Sequence, residues 1–234
     1  MVRVVLIDVD NTLLDFDGYV KFAMKIGFEK FGFKKYEEWM YDEFCVINKG
    51  FWLAYERGEV TYEGILKNRW NSVFEKLGIE GDGVAFEKFF KGTLFNNAIL
   101  IDGAIDALEY LSKKYIVCTA TNGPLLQQKN RLSISGIDKF TTFDFISEEM
   151  GIQKPDPGFF DMAIGKINAC LENRGQERVL RNEIVMIGDS MTSDIAGAKA
   201  SGIKTCFFDK NKTANSSAPT DYYMDGWEQI KNIL

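Results

Sequence analysis

The stretch "VRVVLIDVDNTLLD" at residues 2–15 carries an apolar run straight into Asp8, with Asp10 two residues further on. In extended chain, residues i and i+2 point the same way, so a backbone extended to Asp10 turns both carboxylates toward one space. Open α/β sheets bind their ligands beyond the carboxyl ends of the strands. Two close anions there are costly unless a cation or a proton relieves them. The plainer alternative is a strand that ends in a polar turn, with Asn11 and Thr12 capping the next segment. Other strand ends carry matching chemistry. "YIVCTATNG" runs into Thr121, Asn122 and Gly123; "GIQKPDP" places Lys154 just ahead of a helix; "IVMIGDSMTSDIAGAKASG" ends its strand on Gly188 and Asp189, with Asp194 starting the next helix. Singly, each reads equally as a turn, a helix cap or a solvated lysine. Jointly they supply a nucleophile, metal ligands, a phosphate donor and a counter-cation, in one order along the chain.

These groups need a frame to hold them. Short apolar runs suited to buried parallel strands recur at 2–8, 115–120, 183–188 and 203–208, and "DFISEE" at 144–149 offers a shorter fifth. Between them, residues 102–113 set Ala104, Ile105, Leu108 and Leu111 on one helical face, and 157–171 repeat Phe160, Ile164, Ile167 and Leu171. Asp156 is a natural N-cap for that second helix, with Pro157 at its first position. The alternation predicts an open α/β fold with a Rossmann-like parallel sheet. Residues 18–99 break the rhythm with aromatic-rich helical patterns and no convincing strand. Met40, Phe44, Ile47, Phe51 and Tyr55 form one stripe, and Tyr62, Leu66, Trp70, Val73 and Leu77 another. Such stripes read as helix-bundle core, with Trp52, Tyr55 and Trp70 as the aromatics to consider for a ligand ring. The predicted division is an α/β core of 1–17 and 100–234 with an inserted helical domain at 18–99. "NKTANSSAPT" at 211–220 reads as a polar loop, and 172–182 as a charged connection.

Composition narrows the partners. A net charge of −6 gives no general attraction to nucleic acid polymers or anionic membranes, so an anionic substrate would need a locally recruited cation. The apolar runs are too short to span a bilayer, and the N-terminus reaches Asp8 too soon for a signal peptide. Cys45, Cys118, Cys170 and Cys206 form no C-x-x-C pair; Cys118 and Cys206 sit in strand-like runs as buried thiols, which suggests the cytoplasm. The chain has no histidine, which removes Ser-His-Asp triads, His-ligated zinc and phosphohistidine chemistry.

With these residues in place, the sequence resembles the haloacid dehalogenase (HAD) superfamily, most of whose members are phosphohydrolases. The D-x-D-x-T motif matches Asp8, Asp10 and Thr12; the hydroxyl motif matches Thr121, followed by Asn122; the lysine motif matches Lys154; the G-D-x-x-x-x-D motif matches Asp189 and Asp194. The match spans 1–16 and 100–210, and the helical insertion looks like the family's common cap. "TNGPLLQQKNRL" and "FDFISEEMGIQKPDPGFF" further resemble the branch that includes pyrimidine-type 5′-nucleotidases.

The resemblance implies a phosphatase for a small phosphate monoester, such as a nucleoside 5′-monophosphate. Asp8 is then the nucleophile that becomes phosphorylated, and Asp10 the general acid that next activates water. Asp8, the Asp10 main-chain carbonyl and Asp189 would hold Mg2+, with Asp194 supporting it directly or through water. Lys154, Thr121 and Asn122 would bind the phosphoryl oxygens, Lys154 also facing Asp8, and the cap would close over the site. Dehalogenases of the superfamily lack the second aspartate of the first motif, so Asp10 argues against that reaction. A sugar phosphomutase on the same core stays open as an alternative. A phosphoaspartate signalling switch fits the length and motif order poorly, and a binding module with residual hydrolysis fits the full motif set poorly.

Overall fold

The computed structural model describes residues 1–212 and 219–234. Part of the expected polar loop at 211–220 lies outside the described residues. The chain divides into two compact units, one of Met1–Asp15 with Ala98–Leu234 and the other of Phe16–Asn97.

The first unit is built on a six-stranded sheet in the order β3-β2-β1-β4-β5-β6, every neighbouring pair parallel. The strands are β1 Val4–Ile7, β2 Ile116–Thr121, β3 Phe143–Ile146, β4 Ile184–Gly188, β5 Lys204–Phe208 and β6 Tyr222–Met224. The four residues of β1 are all buried because alternate side chains enter different layers. Val5 and Ile7 join Val117, Val185 and Ile187 against Leu108 and Leu111 of helix α5 (Ala104–Ser112) and Trp227. Val4 and Leu6 join Cys118, Ala120 and Met186 against Phe159, Phe160, Ile164 and Ile167 of helix α8 (Pro157–Asn173). The sheet is thus sandwiched between helices, as continuous apolar strands require. The shorter fifth strand is four residues at 143–146 rather than 144–149; from Ser147 the chain coils into α7 (Ser147–Met150). β6, at the sheet's edge, is not signalled by the apolar pattern; it is three residues long and only Met224 is buried.

The remaining helices of this unit are α6 (Leu125–Ser135), α9 (Gly197–Ala200) and α10 (Ile230–Ile233). Asp156 caps α8 by accepting from the Gly158 N–H at 2.8 Å, with Pro157 opening the helix. The charged connection at 172–182 is tied down: Arg3 donates to the carbonyls of Arg178 and Glu177, and Val179 N–H donates to Asn168 Oδ1 at 2.7 Å. The units part at 15/16 and 97/98, against the expected 17/18 and 99/100. Residues 99–101 stay with the sheet unit because Asp15 N–H donates to the Ile99 carbonyl and Ile101 N–H to the Leu13 carbonyl.

The second unit is helical: α1 Phe16–Lys30, α2 Glu38–Glu56, α3 Tyr62–Leu77 and α4 Gly83–Phe95. Its core is aromatic, with Phe28, Phe44, Trp70, Phe74, Phe86 and Phe90 buried together. Trp70 packs 4.5 Å from the ring of Phe86, which makes it a core residue rather than a ligand platform. Trp52 stands edge-on to Tyr55 at 5.7 Å, and both are half-buried. A buried pair, Arg69 with Glu87 at 2.8 Å, crosses α3 and α4, and the guanidinium also donates to Asn48. Thr61 and Asp82 cap α3 and α4 through their side-chain oxygens.

Candidate active site

The register of the central strands decides which side chains meet. Ile7 pairs with Thr119 on one side and Ile187 on the other, so Asp8 emerges beside Ala120 and Gly188. Its N–H still donates to the Ile187 carbonyl at 2.9 Å. The backbone then turns rather than running extended to Asp10: the Val9 carbonyl accepts from Leu13 and Leu14, and Asn11 sits in the left-handed region at φ 60°. Lys210 ties this loop from outside, donating to Asn11 Oδ1 at 2.9 Å and Asp15 Oδ1 at 2.5 Å.

Lys154 is the centre of the cluster. It is 1% exposed, and Nζ donates to Asp8 Oδ1 at 2.8 Å, Asp194 Oδ1 at 2.6 Å and the Ala120 carbonyl at 2.6 Å. An ammonium has three N–H bonds, and all three are used. In this arrangement Lys154 therefore neutralises the nucleophile candidate and Asp194, and offers no spare N–H to a phosphoryl oxygen. Burial alone would lower its pKa, but Asp194 and Asp8 outweigh it and hold the ammonium above the ordinary range. Burial pushes the Asp8 carboxyl up to about 7; Lys154 opposes the rise, and Asp194 and Asp10 add to it.

Asp8, Asp189 and Asp194 each bring a carboxylate oxygen to within 4.8 Å of the others, an all-oxygen set of the kind that suits a hard divalent cation. Asp194 reaches in from a π-helical turn, Met191–Ala196, whose start is capped by Ser190 Oγ. The Ser190 N–H donates to Asp194 Oδ2 at 3.0 Å. Gly188 has a steric reason: a Cβ there would meet Asp194 Oδ2 at 2.2 Å. Thr12 Oγ1 donates to Asp189 Oδ1 at 3.4 Å, while its carbonyl accepts from Trp227 Nε1 at 2.8 Å.

Thr121 and Asn122 lie where β2 ends. Asn122 grips the backbone of Lys154, its Oδ1 accepting from Lys154 N–H at 3.0 Å and its Nδ2 donating to the Lys154 carbonyl at 2.8 Å. Its side chain thereby helps to place the lysine, with one Nδ2 hydrogen used on the Lys154 carbonyl. Thr121 Oγ1 accepts from Gly123 N–H and from Gln128 Nε2. Asp10, on its side chain 30% exposed, pairs with Arg131 at 2.6 Å.

The expected residues thus come together, but two partners were not foreseen, Gln128 and Arg131 of α6. Both lie inside the stretch "TNGPLLQQKNRL", yet nothing in a polar helical segment marks them as buried. The one available signal is that Gln128 lies four residues before Leu132, which faces the core, with Arg131 three residues after Gln128.

A family model for haloacid dehalogenase-like hydrolases matches residues 2–202. The HAD-hydrolase YfnB of Bacillus subtilis is 30% identical over 99% of this chain and 95% of its own length. The pyrimidine 5′-nucleotidase PynA of Streptococcus pneumoniae is 29% identical over 99% and 97%, and the pyrimidine 5′-nucleotidase YjjG of Escherichia coli 27% over 97% and 95%. The crystal structure of YfnB, bound to magnesium, superposes with a TM-score of 0.87 over 100% of this chain and 98% of that one.

Proposed function

The chain belongs to the haloacid dehalogenase-like hydrolases, and from that premise we propose that it is a magnesium-dependent phosphatase acting through an aspartyl-phosphate on Asp8, with a pyrimidine nucleoside 5′-monophosphate as its ester. The observation that carries this reading is the buried Asp8–Lys154–Asp194 group with Asp189 beside it. The pyrimidine nucleotidases PynA and YjjG support the choice of ester.

Asp8 Oδ1 is held by Lys154, which leaves Oδ2 to attack phosphorus. Asp10 gives a proton to the departing ester oxygen and then takes one from the water that cleaves the aspartyl-phosphate. Thr121 donates its hydroxyl hydrogen to a phosphoryl oxygen, and main-chain N–H groups at Val9, Asp10 and Asn122 complete the cradle. The residues fit a divalent cation, because Asp8, Asp189 and Asp194 gather carboxylate oxygens within 4.8 Å of one another, more negative charge than the single Lys154 ammonium offsets. The Asp8 and Asp189 carboxylates and the Asp10 carbonyl would hold magnesium, with Asp194 supporting directly or through water. Bound there, magnesium supplies charge neutralisation for an anion attacking an anion. Asp194 has a second task, since it also anchors Lys154.

The test is phosphate release across nucleoside monophosphates, sugar phosphates and phosphoglycolate, with magnesium and with chelator. Magnesium-dependent release, strongest on pyrimidine nucleotides, is the expected result. Release that survives full chelation would contradict the metal assignment, and a sugar phosphate isomerised without phosphate release would point to a mutase. Gly188→Ala is expected to lower kcat about 100-fold by displacing Asp194, the scale of a misplacement near 1 Å. Its circular dichroism spectrum should stay that of the parent, and parent-like kcat would show that Asp194 need not stand where it does.

A further inference from the structure

Gln128 and Arg131 lie one turn apart on α6 and are 0% and 1% exposed. Side chains buried this deeply must find partners for their polar atoms. Arg131 Nη1 donates to Asp10 Oδ1 at 2.6 Å and to Gln128 Oε1 at 3.3 Å. With its oxygen turned to the guanidinium, the amide presents its NH2 the other way. There Nε2 donates to Asp10 Oδ2 at 2.7 Å and to Thr121 Oγ1 at 3.1 Å. Both oxygens of Asp10 are therefore fixed from one helix. Thr121 Oγ1 also accepts from Gly123 N–H at 3.0 Å, so its lone pairs are taken and its own hydrogen is left to donate. Gly123 is part of the device, since a Cβ there would meet Gln128 Nε2 at 2.0 Å.

We propose that Gln128 and Arg131 are positioning residues, which hold Asp10 in one rotamer for proton transfer and turn the Thr121 hydroxyl hydrogen outward to the phosphoryl group. The inference rests on the phosphatase reading above. A short carboxylate that is 30% exposed would otherwise sample several staggered wells. Two donors on a buried helix select one. Burying a guanidinium is costly, and an apolar pair would fill the same helix face without that cost. The proton transfer they serve is balanced in two halves. First an Asp8 oxygen bonds to phosphorus, the phosphorus–ester oxygen bond breaks, and the Asp10 proton passes to the leaving oxygen. Then a water oxygen bonds to phosphorus, its proton returns to Asp10, and the bond to Asp8 breaks.

Leaving groups separate this role from a merely structural one. An alkyl ester needs the Asp10 proton on departure, whereas para-nitrophenolate leaves nearly unaided. In Arg131→Met, turnover of an alkyl phosphate should fall about 100-fold, while the first turnover of para-nitrophenyl phosphate slows less than about fivefold. Because water activation still depends on Asp10, that first turnover should emerge as a burst of nitrophenolate ahead of a slow steady state. Comparing both esters in one preparation cancels any difference in folded fraction. If Arg131→Met does not accumulate, Gln128→Met carries the same comparison. An equal loss on both esters, or no loss on either, would overturn the proposal. Asp10→Asn is the control: a leaving-group dependence there that is absent in the α6 variants defeats only the positioning role. A parent protein that releases phosphate from neither ester defeats the phosphatase reading with it.

Discussion

Asp8→Asn is expected to abolish phosphate release, with turnover falling by a factor on the order of 10⁴ to 10⁶, as when a covalent nucleophile is removed elsewhere. No phosphorylated protein should be found after acid quench in the variant, whereas the parent should show it. The loss should not come from unfolding. Asn has nearly the shape of the acid, and Lys154 keeps its bonds to Asp194 and Ala120. Stability should move the other way in chelator. The folded Asp8 carboxyl sits near 7 against an ordinary 3.8, so the native state holds a proton that the unfolded chain has already released. The parent therefore loses stability from this group as pH rises from about 4 through about 7, and the loss is complete above it. A neutral Asn carries no such loss. At pH 8 without metal, Asp8→Asn should melt at or above the parent temperature in a thermal scan. Near-normal turnover in this variant would end the covalent scheme; a much lower melting temperature would mean that the neighbouring charges are balanced differently.

Lys154→Met should damage both activity and folding. The lysine is the ion-pair partner of Asp8 and of Asp194, and both carboxylates are buried, at 8% and 1% exposure. Removing one member of a buried ion pair leaves uncompensated charge and costs about 3–5 kcal/mol, readable as a lower urea midpoint. Turnover should drop by about 10³-fold, the scale of losing one preorganised electrostatic contact at the reacting group. The double variant Lys154→Met/Asp194→Asn separates the two effects. It should recover part of the stability, because the Asp194 charge goes with the lysine while Asp8 stays unpaired, but not activity. Such non-additivity is the mark of directly interacting groups. A Lys154→Met protein with the parent's urea midpoint would show that the carboxylates find their compensation elsewhere.

Much of the catalytic frame is readable in the linear chain. Apolar runs buried on both faces do not readily tolerate an early polar group, so Asp8, Gly188–Asp189 and Thr121–Asn122 mark where strands stop and loops begin. Asp156 and Pro157 announce α8 by local capping, which depends only on adjacent residues. The aromatic stripes of 18–99 fall in helices, because helical period is a short-range property; Met40, Phe44, Trp70, Val73 and Leu77 enter the core, whereas Phe51, Tyr55, Tyr62 and Leu66 are half-buried outside it.

What the chain alone does not determine is where the polar groups spend their hydrogen bonds. Lys154 reads as a phosphate-binding cation until folding sets two carboxylates and a carbonyl around its three N–H bonds. Asn122 reads as a phosphate donor until its amide closes on the backbone of Lys154. Gln128 and Arg131 look like solvent-facing residues of a polar helix, and only the packing of α6 beneath the Asp10 loop buries them. β6 is three residues whose pairing comes from the edge of β5, not from their own pattern. The division has one cause: hydrophobic period and capping are set by neighbours in sequence, whereas the partner of a buried polar atom is set by whatever distant element the fold brings within about 3 Å.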